Sequence, residues 1–174
     1  MIYQFKVQLK KVTKPPVWRR IQVSGEYSLD VLHEIIQASF GWENYHSYQF
    51  SHNGWGSYPV YSLEEPEEEF EGMEEDSREY RVKDIFKDKG QKMIYIYDFG
   101  DDWQHQLTLE QIDNGKLQKP VLLAGKGACP PEDCGGPYMY AEMVAAGTVD
   151  PNDFDIKYLR EHLSRVYKNL DQLF

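Results

Sequence analysis

From Tyr3 to Leu9 the chain alternates Tyr3, Phe5, Val7 and Leu9 with Gln4, Lys6 and Gln8. A strand turns successive side chains to opposite faces, so this stretch is satisfied only as a strand with one buried and one wet face. Lys14-Pro15-Pro16 interrupts it, and Val17 to Val23 reads as an antiparallel partner. A sheet with one apolar face needs a second layer to cover it. The next segment supplies one. Ser28 is placed as the N-cap of a helix running to Phe40, with Val31, Leu32, Ile35, Ile36 and Phe40 as its apolar stripe and Gly41 as its stop.

The same reading extends along the chain. Tyr45 to Ser51 is a strand closed by the turn Asn53-Gly54, and Val82 to Lys89 is a short helix stopped by Gly90. Met93 to Phe99 and Trp103 to Ile112 form a hairpin around Gly100-Asp101-Asp102, with Gly100 supplying the positive φ. Residues 113–137 read as loop, and Tyr138 to Ala146 as a helix. A longer helix then opens at Asp150-Pro151-Asn152-Asp153. Its apolar residues Ile156, Leu159, Leu163, Val166, Leu170 and Leu173 step 3, 4, 3, 4, 3, a seam too short for a coiled coil, which instead docks onto the domain's own sheet. The expected architecture is α+β: one domain over 1–174, with a mainly antiparallel sheet, a helix after the second strand and two C-terminal helices (138–174) packed on it.

At 174 residues, folding buries roughly 70% of the unfolded chain's surface, so the core needs neither metal nor disulfide. Two cysteines without an export signal point to a reducing cytoplasm, and no apolar run approaches the ~18 residues of a membrane helix. The net charge of −10 is uneven. Residues 64–79 carry ten acids and one base, leaving the remainder near neutrality, and are read as a solvated acidic loop. Residues 1–25 carry Lys6, Lys10, Lys11, Lys14, Arg19 and Arg20 and no acid. These bases do not share one strand face and no recognition motif accompanies them, so nucleic acid is not the favoured partner.

Potential chemistry is concentrated in two segments, Tyr97 to His105 and Cys129 to Pro137. His105 alternates with Trp103, Leu107 and Leu109, and His46 with Tyr48, Phe50 and His52, so both imidazoles belong on inward faces. An inward histidine is most simply structural. If the two strands are neighbours, His46 and His105 meet near Asp98, Asp101 or Asp102. A set such as His46, His105 and Asp101 would suit zinc or another divalent metal with a position left for water. Without metal, a His–Asp pair can act as a general base. The Cys129–Cys134 pair has no second pair to complete a zinc finger, and its spacing is not that of a redox Cys-x-x-Cys. Stiffened by Pro130-Pro131, the loop reads as a pocket wall formed by Cys129, Glu132 and Asp133 with Tyr97 and Trp103. Its acids have Arg19 or Arg20 as available partners.

Several familiar motifs fail for want of context. Asp98-Phe99-Gly100 stands without a kinase's phosphate or catalytic loop, and Gly125-Lys126-Gly127 lacks phosphate-loop spacing. No Gly-x-Ser-x-Gly nucleophile elbow is present.

Four blocks, Val17-Trp18-Arg19-Arg20-Ile21, Gly41-Trp42-Glu43-Asn44-Tyr45-His46, Tyr97 to His105 and Ala128 to Pro137, together resemble the plasmid pRiA4b ORF-3-like family. They occur in the family's order and span nearly the whole chain. The resemblance implies an α+β domain of plasmid, bacterial and archaeal proteins, sometimes a passenger of insertion elements, and carries no biochemical activity with it. Family members often have His-x-His where this chain has His46-Ser47-Tyr48, and often replace the residue equivalent to Cys134. The favoured expectation is a non-catalytic binding or accessory module associated with mobile elements, holding an unidentified protein or small molecule. A metal-dependent hydrolase built on His46, His105 and Asp98 to Asp102 is the alternative, and a DNA-binding accessory protein the third; enzymatic activity is left open.

Overall fold

The computed structural model describes residues 1–63 and 73–170. Their elements run β1 (Ile2–Thr13), β2 (Pro16–Ser24), α1 (Leu29–Phe40), β3 (Tyr48–Ser51), β4 (Val60–Ser62), β5 (Glu74–Asp76), α2 (Val82–Ile85), β6 (Lys92–Tyr97), β7 (Trp103–Asp113), β8 (Val121–Lys126), α3 (Gly136–Ala145) and α4 (Ile156–Leu170). All the strands join one sheet in the order β5-β4-β3-β6-β7-β1-β2-β8. Every pairing is antiparallel except that of β4 with β5. The fold is α+β, and among the described residues no helix is long and apolar enough to cross a membrane.

The alternating strand lies near the centre of this sheet. β1 pairs β2 on one side and β7 on the other, with Val7 opposite both Arg19 and Leu107. Its odd-numbered residues Tyr3, Phe5, Val7 and Leu9 are buried together with Val17, Ile21, Val23, Leu107 and Leu109. The stripe of α1 closes that face with Leu32, Ile35 and Ile36, all fully buried. Each such side chain contributes roughly 1.5–3 kcal/mol relative to exposure. α4 lays Leu159 and Leu163 against α1 and β8, while α3 sits near β1 and brings Tyr140 within 6.4 Å of Trp103. Leu173, the last position of the α4 seam, lies outside the described residues.

Several local readings change. β3 begins at Tyr48, so Tyr45, His46 and Ser47 are loop. α2 ends at Ile85 because the Gln91 side chain bonds the Ile85 carbonyl (2.7 Å) and the Lys87 amide (2.8 Å), occupying groups that another helical turn would use. β8 lies inside the stretch read as loop. In the β6–β7 turn the positive φ belongs to Asp98 (57°) and Asp102 (55°), not to Gly100. Of the acidic segment, residues 64–72 lie outside the described residues, and part of the remainder is strand rather than loop: β5 pairs with β4.

Arg19 occupies an inward position of β2 and is 1% exposed. Its guanidinium donates to the carbonyls of Ser39 (2.8 Å), Trp18 (2.9 Å), Lys126 (2.9 Å) and Phe40 (3.4 Å). It also lies between the rings of Phe40 (4.9 Å) and Phe154 (4.4 Å). Burial lowers its pKa to about 10. It therefore binds the end of α1, where free carbonyls and the negative end of the helix dipole favour a cation. Beside it a side chain at Gly125 would meet Phe154 at 2.7 Å and Arg19 at 3.0 Å, which explains the glycine in an otherwise ordinary strand. Arg19→Met should remove about 3 kcal/mol of stability by leaving buried carbonyls unbonded. Urea denaturation checks this, and a loss below about 1 kcal/mol would contradict the assigned role.

Candidate functional site

Three loops meet at one end of the sheet. The first follows α1, where Gly41 (φ 98°) ends the helix and Asn44 (φ 57°) turns the chain toward His46. Asn44 is fixed on several sides. Its amide N–H donates to Gln37 Oε1 (3.1 Å), its side chain donates to Glu34 (2.8 Å), and its Oδ1 lies 2.7 Å from His33 Nε2. His33 Nδ1 is 2.8 Å from the Tyr95 hydroxyl, which also accepts from Gln37 Nε2 (2.8 Å). Those contacts place the ring proton on Nε2, donating to Asn44. Burial drives the His33 pKa down to about 3, so the ring is neutral. The apolar reading of α1 missed this cluster because His33 and Gln37 are polar, although their i, i+4 spacing puts them on one helix face.

The second loop is the β6–β7 turn. Asp98 Oδ1 accepts from the amides of Gly100 (3.0 Å) and Asp101 (3.2 Å), an Asx turn that leaves Oδ2 facing outward from the turn. Asp101 accepts from the Gly135 amide (3.0 Å) and so ties the third loop, Cys129 to Pro137, to this turn. In that loop Glu132 Oε1 accepts from the Glu43 amide (2.7 Å) and the Tyr97 hydroxyl (3.0 Å). Burial, reinforced by Glu132, pushes the Tyr97 phenol up.

Between the loops, His46 Nε2 lies 2.8 Å from Asp133 Oδ1 and 3.5 Å from Asp98 Oδ2. The nitrogen is shut off from solvent and makes a properly directed hydrogen bond to neither carboxylate. These three ligand atoms all fall within 4.8 Å of one another. Tetrahedral zinc with bonds of ~2.1 Å spaces its ligands roughly 3.4 Å apart. The His46–Asp98 distance already matches. His46 and Asp133 stand closer than that, and the exposed Asp133 side chain (67%) has room to adjust.

The sequence candidates therefore divide. His46 and Asp98 come together and Asp133, expected as wall, joins them. His105 does not: β6 lies between β3 and β7 in the sheet, so their strands are not neighbours. His105 is fully buried and accepts from Trp42 Nε1 at 3.3 Å, with Phe40 and Tyr95 against its ring. Burial lowers its pKa to about 3. Asp102 is a fastening rather than a ligand. It accepts from Trp55 (2.8 Å), Gln104 (2.9 Å) and Lys11 (3.1 Å). Burial acts to raise its pKa, and these bonds outweigh it and hold the carboxyl below its ordinary range. Trp103 is fully buried beside Trp42, so it belongs to the core rather than to a pocket wall. Cys129 is half-buried as a residue, yet its thiol is enclosed and pushed well up by burial. Neither arginine is held by the loop acids: Arg19 binds carbonyls, and Arg20 forms a two-point pair with Glu110 (2.7 and 2.9 Å).

Two outcomes follow from this geometry. The third loop depends on Gly136, whose φ is +80° and whose added Cβ would meet the Asp101 carbonyl oxygen at 2.5 Å. Gly136→Ala should cost about 2 kcal/mol or more in thermal unfolding. His33 and His105 are neutral in the fold with pKa values near 3, against an ordinary 6.5. Between those values the unfolded chain binds more protons, so stability is lost as pH falls below about 6.5, by up to roughly 1.4 kcal/mol per pH unit for each histidine. Urea titrations from about pH 7 to about pH 5 should show this slope, and His105→Phe should flatten it.

Comparison with known proteins agrees with the architecture. The family model described as plasmid pRiA4b ORF-3-like protein matches residues 1–172. An uncharacterized protein, y4hQ, of Sinorhizobium fredii (strain NBRC 101917 / NGR234) is 37% identical over 147 residues, 83% of this chain and 72% of that protein. The crystal structure of a protein of unknown function, MM3350, from Methanosarcina mazei Go1 superposes with a TM-score of 0.77 at 32% identity, covering 90% of this chain and 95% of that one. The four sequence blocks, the shared fold and the full-length match together establish that this chain belongs to the plasmid pRiA4b ORF-3-like family.

Proposed function

We propose that this protein is a non-catalytic binding module, an accessory of mobile genetic elements, whose recognition surface is organised by a divalent cation at His46, Asp98 and Asp133. Zinc is the first choice, because one imidazole and two carboxylates form a donor set it accepts. The observation that carries this reading is the buried Nε2 of His46, close to two carboxylates and hydrogen-bonded to neither. Each ligand comes from a different loop, so an ion there would cross-link all three and fix the surface around Tyr45, which is 67% exposed. The family's plasmid description supports the accessory role.

One feature favours a second reading, a metal-dependent hydrolase. Three ligands leave a coordination position for water, and Glu132, next to Asp133, keeps a buried Oε2 without a partner that is available as a proton acceptor. His105 has no part in either reading, being sealed in the core.

Calorimetric titration with zinc should show one equivalent bound, and saturation at about a hundredfold over Kd should add about 2.7 kcal/mol of stability. His46→Ala and Asp98→Asn should abolish both effects. Absence of binding and of stabilisation in the parent protein would sink the cation reading. Zinc-dependent turnover in a phosphoester screen, lost in His46→Ala and in Glu132→Gln, would decide for the hydrolase.

A further inference from the structure

The face of the sheet turned away from α1 carries no helix among the described residues, and its composition departs from that of the whole chain. Across four adjacent strands the register aligns Lys92, Thr108, Lys6 and Arg20. The next outward row aligns Gln106, Gln8, Trp18 and Lys126. Trp18 is half-exposed, with Lys6 Nζ 5.5 Å and Arg20 Cζ 5.3 Å from its ring. Beyond them Gln22 donates to Gln4 (3.2 Å), and Gln4 donates to Glu110 (3.0 Å), the carboxylate that also pairs with Arg20. A protein of net charge −10 thus sets Lys6, Arg20, Lys92 and Lys126 on one open sheet face, with Lys6 and Arg20 over the Trp18 ring, Lys126 paired opposite it, and Glu110 as the acid bonded to Arg20.

We infer that this face binds single-stranded nucleic acid. Charge complementarity calls for a polyanion, and the flanking residues distinguish which kind. The half-exposed indole, whose ring already attracts Lys6 and Arg20, offers a base a stacking surface, while the lysines of the same face take phosphates. Glutamine amides supply both donors and acceptors, the combination that base edges present. An acidic polypeptide would use the cations and leave the indole and the amides idle. The face is independent of the cation site, since it shares no residue with His46, Asp98 or Asp133.

The test is fluorescence anisotropy of the full-length protein with labelled oligo-U and oligo-dT, in the presence of a chelator so that the cation site plays no part. Binding should tighten as salt falls, with a log–log slope of about −2 if Lys6, Lys92 and Lys126 each neutralise one phosphate, Arg20 being held by Glu110. Lys6→Glu with Lys92→Glu should weaken it at least about tenfold, and Trp18→Ala should weaken it roughly tenfold while preserving most of the salt slope. Circular dichroism melts check that the variants fold. Should the first pair fail to fold, Lys92→Glu with Lys126→Glu, both at exposed positions, replaces it. Preference for oligo-U or for oligo-dT identifies RNA or DNA as the source, and either result supports the inference. No binding at low salt, affinity unchanged by charge reversal, or polyglutamate bound in place of the oligonucleotides would overturn it.

Discussion

Arg19 is a full positive charge in the interior whose bonds are all to backbone carbonyls. Such a charge carries a large desolvation cost, tolerable only because each of its nitrogens finds a carbonyl and two aromatic rings lie against the guanidinium. Three connections pass through it: β2 to the C-terminal end of α1, β2 to the end of β8, and both to the turn at Phe154 that opens α4. The loop carrying His46 departs from that same helix end. The point at which that loop leaves the helix is thus held by a buried cation on a different element, and Asn44 then turns it toward His46.

The β6–β7 turn plays the corresponding part on the other side of the site. Asp98, Asp101 and Asp102 are consecutive or nearly so, yet each carboxylate faces a different neighbour: its own turn and His46, the Gly135 amide, and Trp55 with Lys11. Divergence of this kind follows from the two positive-φ residues that bracket the turn and rotate successive side chains apart. A run of acids that reads as one feature in the chain becomes three separate connections in space.

What could be read in advance follows from how local each signal is. Period-two alternation gave β1, β2 and the β6–β7 hairpin, and the 3.6-residue stripe gave α1 nearly to the residue. α4 was marked by its seam. β8 escaped because its burial is uneven and its last residues, Gly125-Lys126, run into Gly127 and resemble a loop. For the site, alternation placed His105 inward correctly but could not report that β6 intervenes between its strand and the one after His46. Asp133 has no local mark at all, since its role depends on a loop docking across the sheet end. Arg19 was legible in principle. It alternates with Val17 and Ile21, so parity alone assigns it to the buried face, whereas composition counts it among surface bases. The basic outward face was hidden for the opposite reason, because register across four strands, not spacing along one, assembles it.

The ends of the sheet bear on how the protein behaves at high concentration. An open sheet presents two rims of unpaired backbone that can recruit other chains. At one rim, Arg160 of α4 donates to the carbonyls of Leu122 and Leu123 on β8 at 2.8 Å each, covering part of the edge with a side chain from a helix. At the other, the terminal strand among the described residues is only three residues long and consists of Glu74, Glu75 and Asp76, so a second copy approaching it in register would bring like charges face to face. Among the described residues, growth of the sheet is thus opposed at one margin by carbonyls already bonded and at the other by like charge.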